Sequence, residues 1–376
     1  MKCESNSHLP EERRTKAIRA AQISKRRQCD FPTASIGSCG RLPRGASATV
    51  DIYRRTASDN GEALGRAIPG ANFRCIAESG PSFGGRYWHF HVDGVVLSRL
   101  EVDQASVVTT DERLPHFNVW HVMSPRCAAN GQDVGVTDLV AVRPGEGGTM
   151  RSAAAADVTT FGLDTSLFGE APELELPFGP SSAPRAGRWR VASIVPRQRF
   201  VTLAQTVLAQ LDAEPQAFAS PAVRVALRNS MIEAIAAMGE AGTFRPDRST
   251  IGRHTRILMR FERALEEAGD RPIDMAELCR KSGASRRSLE AVVQQRTGRT
   301  PLEYLRWRRL WRARSMLRQP SADTTVTGVA FELGFWHLGR FAATYAATFG
   351  ERPSETLARA MGTKPRAPLE NSALSG

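Results

Sequence analysis

Apolar residues recur at steps of three and four over the C-terminal third of the chain and at steps of two through its middle, so a helical part follows a strand-rich part. In residues 328–357, GVAFELGFWHLGRFAATYAATFGERPSETL, a short helix presents Val329, Ala330 and Leu333 on one face. Gly334 then supplies the positive φ that a sharp helix exit needs, and Phe335 packs beneath the turn. The next helix, 337–349, sets Leu338, Phe341, Tyr345 and Phe349 on one buried stripe; Gly350 ends it and Pro353 opens one more. The plan recurs in residues 273–298, where Asp274 and Glu277 form a capping pair, Gly283 makes the turn, and Ser285 caps a second helix. That helix, 285–297, buries Leu289, Val292 and Val293 and stops at Gly298. Between the copies a longer helix begins at Thr300-Pro301, with Glu303 completing its cap. Its apolar positions are Leu302, Leu305, Leu310, Ala313 and Leu317, and Arg306, Arg308, Arg309, Arg312, Arg314 and Arg318 lie along it.

From about 48 to 180 the texture changes to Gly- and Pro-rich sequence with short β-type runs: RYWHFHV, GVVLSRLEV, FNVWHVM and LVAVRPG. Asp93-Gly94 is a two-residue hairpin turn between the first two, because both central positions of a type I′ turn require positive φ. Several such strands predict a barrel or sandwich. Residues 199–211 and 221–238 read as helices, the second with Val223, Leu227, Met231, Ile235 and Met238 on one face. A stripe of that kind either packs on the protein's own barrel or forms a dimer surface.

Charge follows the helical part. Residues 246–376 carry 23 Lys and Arg against 14 Asp and Glu, a net +9; residues 31–245 carry −1 and residues 1–30 carry +4, within a whole-chain +12. A clustered positive surface releases counterions from a phosphate backbone and so binds nucleic acid in a salt-dependent way. No membrane span is evident, and the basic start, MKCESNSHLPEERRTKAIRAAQISKRRQ, lacks the apolar core of a secretion signal. The six cysteines (Cys3, Cys29, Cys39, Cys75, Cys127, Cys279) show no CxxC spacing, which favours reduced thiols over disulfides or structural metal.

Two helix-turn-helix units joined by a helix, with GFWHLGRFAATYAATFGERPSETL in the second, resemble the DNA-binding domain of AraC/XylS-type transcription regulators over roughly residues 250–360. The resemblance implies two recognition helices, 285–297 and 337–349, entering successive major grooves. It also implies a cupin-like effector-binding barrel ahead of the readers, a homodimer, RNA polymerase as a partner and cytoplasmic location. By position, Arg287 and Glu290 in the first unit and Arg340 in the second match base-reading residues of the family. Ala342, Ala343, Ala346 and Ala347 leave the second reader poorer in basic residues than many relatives.

The expected architecture is therefore α+β: a basic, disordered extension over 1–45, a cupin-like β effector-binding domain over 46–195 and a helical linker or dimerisation region over 196–245. A double helix-turn-helix domain spans 246–361, and a disordered tail 362–376. Candidate DNA-binding residues are Ser285, Arg286, Arg287, Ser288, Glu290, Thr300, Trp336, His337, Gly339 and Arg340. Arg86, Trp88, His89, His91 and Trp120 are candidates to line an effector pocket, an aromatic wall with a cation for an acidic small molecule. His89, His91, His116 and His121 suggest a cupin metal, but Glu101 lies beyond the hairpin turn and the spacing fails, so no metal, cofactor or catalytic residue is expected. Two rivals stand beside an effector-responsive regulator of promoter DNA. One is an enzyme, either a metal-dependent cupin fused to a DNA-binding domain or a DNA-repair alkyl transferase, whose Pro-Cys-His-Arg nucleophile motif is absent. The other is a constitutive DNA-binding protein whose β-domain only dimerises it.

Overall fold

The computed structural model describes residues 54–58, 60–66, 73–78, 80, 83–110, 116–164, 186–247, 249–269 and 271–362. The expected N-terminal extension, Cys3, Cys29, Cys39 and the tail beyond residue 362 lie outside the described residues.

The alternating segments form strands β1 (Arg54–Ser58), β2 (Phe73–Ala77), β3 (Gly85–Val92), β4 (Val95–Val102), β5 (Ser106–Thr110), β6 (His116–Val122), β7 (Cys127–Ala129), β8 (Gln132–Val134), β9 (Asp138–Val142), β10 (Gly148–Ser152), β11 (Ala156–Asp164), β12 (Gly187–Arg190) and β13 (Thr243–Pro246). They pair in a large antiparallel sheet, β1-β3-β4-β11-β6-β9-β12-β13, and a smaller one, β2-β5-β10-β7-β8. The chain running from β4 into β5 pairs with the chain running from β10 into β11, so a two-stranded ribbon crosses from one sheet to the other as in a jelly roll. The β3–β4 hairpin turns at Asp93 (φ 43°) and Gly94 (φ 81°), the double positive φ of a type I′ turn, with Val92 paired to Val95. A short helix, α1 (Gly61–Arg66), packs beside β2.

Helices α2 (Ile194–Ala213) and α3 (Pro221–Glu240) cover the outer face of the large sheet. Leu227, Met231, Ile235 and Met238 of α3 are buried against Phe90, Phe161 and Phe200, while Val223 stays 40% exposed. The apolar stripe read from the sequence is thus covered by the protein's own sheet. The chain leaves α3 into β13, which pairs with β12, so the helices expected as a linker are inserted between two neighbouring strands of one sheet.

The C-terminal part is helical: α4 (Ser249–Ala268), α5 (Met275–Ser282), α6 (Arg286–Thr297), α7 (Pro301–Arg318), α8 (Val326–Glu332), α9 (Leu338–Phe349) and α10 (Pro353–Ala360). Gly283, Gly298, Gly334 and Gly350 adopt φ of 65°, 75°, 75° and 72°, the left-handed conformation that ends a helix without steric cost to glycine. The expected inner faces are buried with two exceptions, Leu302 (48% exposed) and Leu338 (37%), each in the first turn of its helix. The small sheet is a layer between the large sheet and this helical domain, and the sandwich interior shares one continuous apolar core with the helices.

Candidate nucleic-acid interface

Local rules place the first reader. Ser285 is the N-cap of α6 and accepts from the Ser288 amide (3.2 Å), while Asp274 caps α5 by accepting from the Glu277 amide (2.7 Å). The Glu277 carboxylate does not return the cap; it binds Arg271 at 2.6 Å. Leu289, Val292, Val293 and Arg296 of α6 face inward. At about 100° per residue, the opposite side carries Arg287, Ala291 and Gln294, all exposed, with Ser288 and Glu290 on its flanks. Arg286 lies off this centre and is held by Glu290 at 2.9 Å.

In the second unit Phe341, Tyr345 and Phe349 are buried, so Gly339, Arg340, Ala343 and Ala347 point outward and are exposed. His337 is the N-cap of α9 without a side-chain cap bond, and Trp336 is 68% exposed with its ring 5.9 Å from that of Phe331. An open groove of about 290 Å³ runs beside this unit, with Leu302, Arg306 and Arg309 of α7 facing Trp336, His337 and Arg340. Sequence reading missed Ala291 and Gln294, which the i+4 and i+7 spacing from Arg287 would have found.

Thr300 closes a full capping box with Glu303, starting α7. The arginines of α7 do not form one solvated row. Arg308 binds Glu262 at 2.9 Å, and Arg314, 2% exposed, donates to the Gly80 carbonyl at 3.2 Å. Turns and loops of the small sheet hold the ends of α6 and α9. Gly80 N–H donates to the Thr348 carbonyl at the end of α9 (2.9 Å), and Gln295 near the end of α6 donates to the Gly131 carbonyl (3.5 Å). Trp311 donates to the Ala77 carbonyl (2.9 Å), and Arg74 of β2 binds Glu262 of α4 at 2.6 Å.

Strand alternation separates the five residues expected to line one effector pocket. Arg86 and Trp88 lie on the outer face of the large sheet: the Trp88 indole donates to Asp212 of α2 (3.4 Å), and the guanidiniums of Arg55, Arg86 and Arg99 stand 5.6, 5.5 and 5.7 Å from its ring. His89, His91 and Trp120 face the interior. There His89 bonds Ser98 (2.9 Å), His91 lies 5.6 Å from the ring of His116, and Trp120 stands over Gly148 of the small sheet. His121 points outward, where its Nε2–H donates to the Val136 carbonyl (3.1 Å) beside the Phe200 ring. The four histidines therefore do not converge, and among the described residues no three His, Cys, Asp or Glu side chains come together as a metal would need.

Burial lowers the pKa of His116, reinforced by the neighbouring His91, and lowers that of His121 against the opposing hydrogen bond to Val136. As pH falls below about 6.5 the unfolded chain takes up these protons before the folded one, so their contribution to stability is complete above that pH and is lost below it. The thermal midpoint is expected to fall between about pH 7.5 and about pH 5.5, and His121→Gln to make that fall shallower; an identical slope would remove His121 from the account.

The helix-turn-helix domain profile matches residues 278–359. The XylDLEGF operon transcriptional activator 2 of Pseudomonas putida is 43% identical over 101 residues, covering 26% of this chain and 64% of that protein. The probable thc operon regulatory protein of Rhodococcus erythropolis is 42% identical over 94 residues, 25% of this chain and 28% of that protein. The chain thus spans less than two thirds of either relative. The crystal structure of a probable AraC family transcriptional regulator from Rhodopseudomonas palustris is 37% identical over 96% of its length and 28% of this chain, with a TM-score of 0.26.

Proposed function

The chain belongs to the AraC/XylS family of transcription regulators, and from that premise we propose that it binds promoter DNA sequence-specifically in response to a small-molecule effector. The observation that carries the reading is a pair of helix-turn-helix units whose outward faces are polar, with Arg287 and Arg340 exposed and Ser288 and Glu290 half-buried beside Arg287. Arginine forks there suit guanine edges in the major groove, and Glu290 suits a cytosine amino group. Ser285 and Thr300 serve as caps that also approach phosphates, with Arg286, Trp336, His337 and Gly339 completing the contact surface. The effector site is proposed in the sandwich interior near His89, His91 and Trp120, leaving Trp88 to bind Asp212 of α2 and Arg86 to pair with Glu101 of β4 on the outer face. RNA polymerase as a partner, a homodimer and a cytoplasmic location belong to the same reading.

Among the described cysteines, Cys75 and Cys127 are poor candidates for a nucleophile. Burial pushes Cys75 up to about 12 and Cys127 up to about 11, away from the thiolate form a transferase needs. The test is sequencing of genomic fragments recovered by the purified full-length protein at defined salt. A discrete motif with two half-sites about one helical turn apart is expected; uniform, salt-sensitive recovery would overturn sequence-specific regulation.

A further inference from the structure

Ahead of the matched residues 278–359 lies α4, and its exposed side carries Arg253, Arg256, Arg260 and Arg263 at steps of three, four and three. That spacing puts all four on one arc of the helix, away from the buried Ile257, Phe261, Ala264 and Ala268. Among the described residues Arg253, Arg256 and Arg260 make no ion pair, whereas Arg263 lies near Glu267, itself bound by Lys281 at 2.7 Å. Surface arginines without carboxylate partners contribute little to folding.

The placement of α4 gives the stripe a direction. Buried Arg296, near the end of α6, donates to the Ile251 carbonyl (3.2 Å) and the Thr255 hydroxyl (3.3 Å). Further along α4, a Cβ added to Gly283 would stand 3.0 Å from Nη1 of Arg260, so this guanidinium reaches the turn just before α6 begins. The two helices therefore run side by side in opposite directions, and the arginine stripe follows the first reader from its end to its entrance. A helix seated in a major groove has a phosphate backbone along each side.

We propose that the α4 stripe is a phosphate-binding surface that holds one backbone of the groove entered by α6, with the phosphodiester as ligand and no sequence preference. The proposal rests on the DNA-binding reading above. It makes the first unit a reader with its own anchor, outside the residues of the helix-turn-helix profile.

The test compares the full-length protein with an Arg253→Gln/Arg256→Gln/Arg260→Gln variant on a duplex selected from a random pool by the unaltered chain, and on a scrambled duplex. All three positions are exposed, so an unchanged thermal midpoint is expected. The slope of log affinity against log salt is expected to become shallower by about 0.9 for each phosphate no longer neutralised, roughly two to three in all, with the ratio of selected to scrambled binding unchanged. Lysines at the same positions should restore the slope. An unchanged slope in a protein that still selects its duplex overturns the phosphate role, and a simultaneous loss of transcription with purified polymerase would assign the stripe to an acidic protein surface instead. A loss of selectivity with the slope intact would make these arginines base readers, contrary to the proposal. A parent protein that selects no duplex would overturn the DNA-binding reading itself.

Discussion

Glu262→Ala is expected to destabilise the protein by about 3–5 kcal/mol, lowering the thermal midpoint by roughly ten degrees. The carboxylate is buried and accepts from three partners: Arg74 at 2.6 Å, Arg308 at 2.9 Å and the Tyr304 hydroxyl at 2.5 Å. Its negative charge holds the Arg74 guanidinium well above its ordinary pKa despite burial. Removing it leaves the Arg308 guanidinium, 13% exposed, and a fully buried phenol without their acceptor, while Arg74, 15% exposed, keeps only its ion pair with Glu266 at 2.5 Å. Because Arg74 sits on β2, Glu262 on α4 and the other partners on α7, the lost stability is expected partly as a loosening of the helical domain from the small sheet. Unfolding of Glu262→Ala, Arg74→Ala and the double variant checks this, with a coupling of about 0.5–3 kcal/mol expected between the two sites. A coupling near zero would mean that Glu262 serves only the helical domain.

Nothing in the sequence pointed to that cluster, because its members are far apart in the chain and each has an ordinary reason to be polar. What could be read came from local rules. Gly283, Gly298, Gly334 and Gly350 end helices by conformational necessity, and Asp93-Gly94 turns a hairpin for the same reason, so the two helix-turn-helix units and one β-hairpin were legible. The expected inner faces failed only in first turns, at Val223, Leu302 and Leu338.

Periodicity marks which residues are apolar and not what covers them. The α3 stripe admitted either a dimer or the protein's own sheet, and its packing on the large sheet decides between them. In β3, Arg86, Trp88, His89 and His91 looked like one constellation because they are neighbours in sequence. The two-residue period of a strand sends the first two to the outer face, where Trp88 meets α2 and Arg86 pairs with Glu101, and the last two to the interior. The arginines of α7 looked equivalent for a similar reason. A charged residue at a buried position signals a long-range partner, and the Gly80 carbonyl that receives Arg314 lies in another domain.

Those long-range bonds bear on how a barrel could speak to two readers. The small sheet meets α6 near its end through Gly131 and Gln295 and meets α9 at its end through Gly80 and Thr348, with the Trp311–Ala77 bond between them. The small sheet and the loop after β2 thus hold the ends of α6 and α9, whereas Arg287 and Arg340 on their outward faces stay exposed.

Within those faces, Arg287→Ala is expected to have the largest effect on recognition, about 1–3 kcal/mol at a single base pair. Arg287 stands opposite the buried Leu289, Val292 and Val293 and is exposed, while the adjacent Arg286 is turned toward Glu290 at 2.9 Å. The expected result, measured with the selected duplex and with duplexes changed one base pair at a time, is loss of preference at one position and little change in binding to scrambled DNA. Arg286→Ala should behave differently, because it releases the Glu290 carboxylate and so shifts a preference instead of erasing one. In the second unit Arg340 is the only cation among the outward positions, alongside Gly339, Ala343 and Ala347. Arg340→Ala should therefore leave that half-site to methyl groups, which discriminate thymine weakly, with Trp336 and His337 beside them, and the first unit should then dominate the recovered motif. Equal losses on every duplex for Arg287→Ala would instead make it a phosphate ligand and would shift base reading to Glu290 and Gln294.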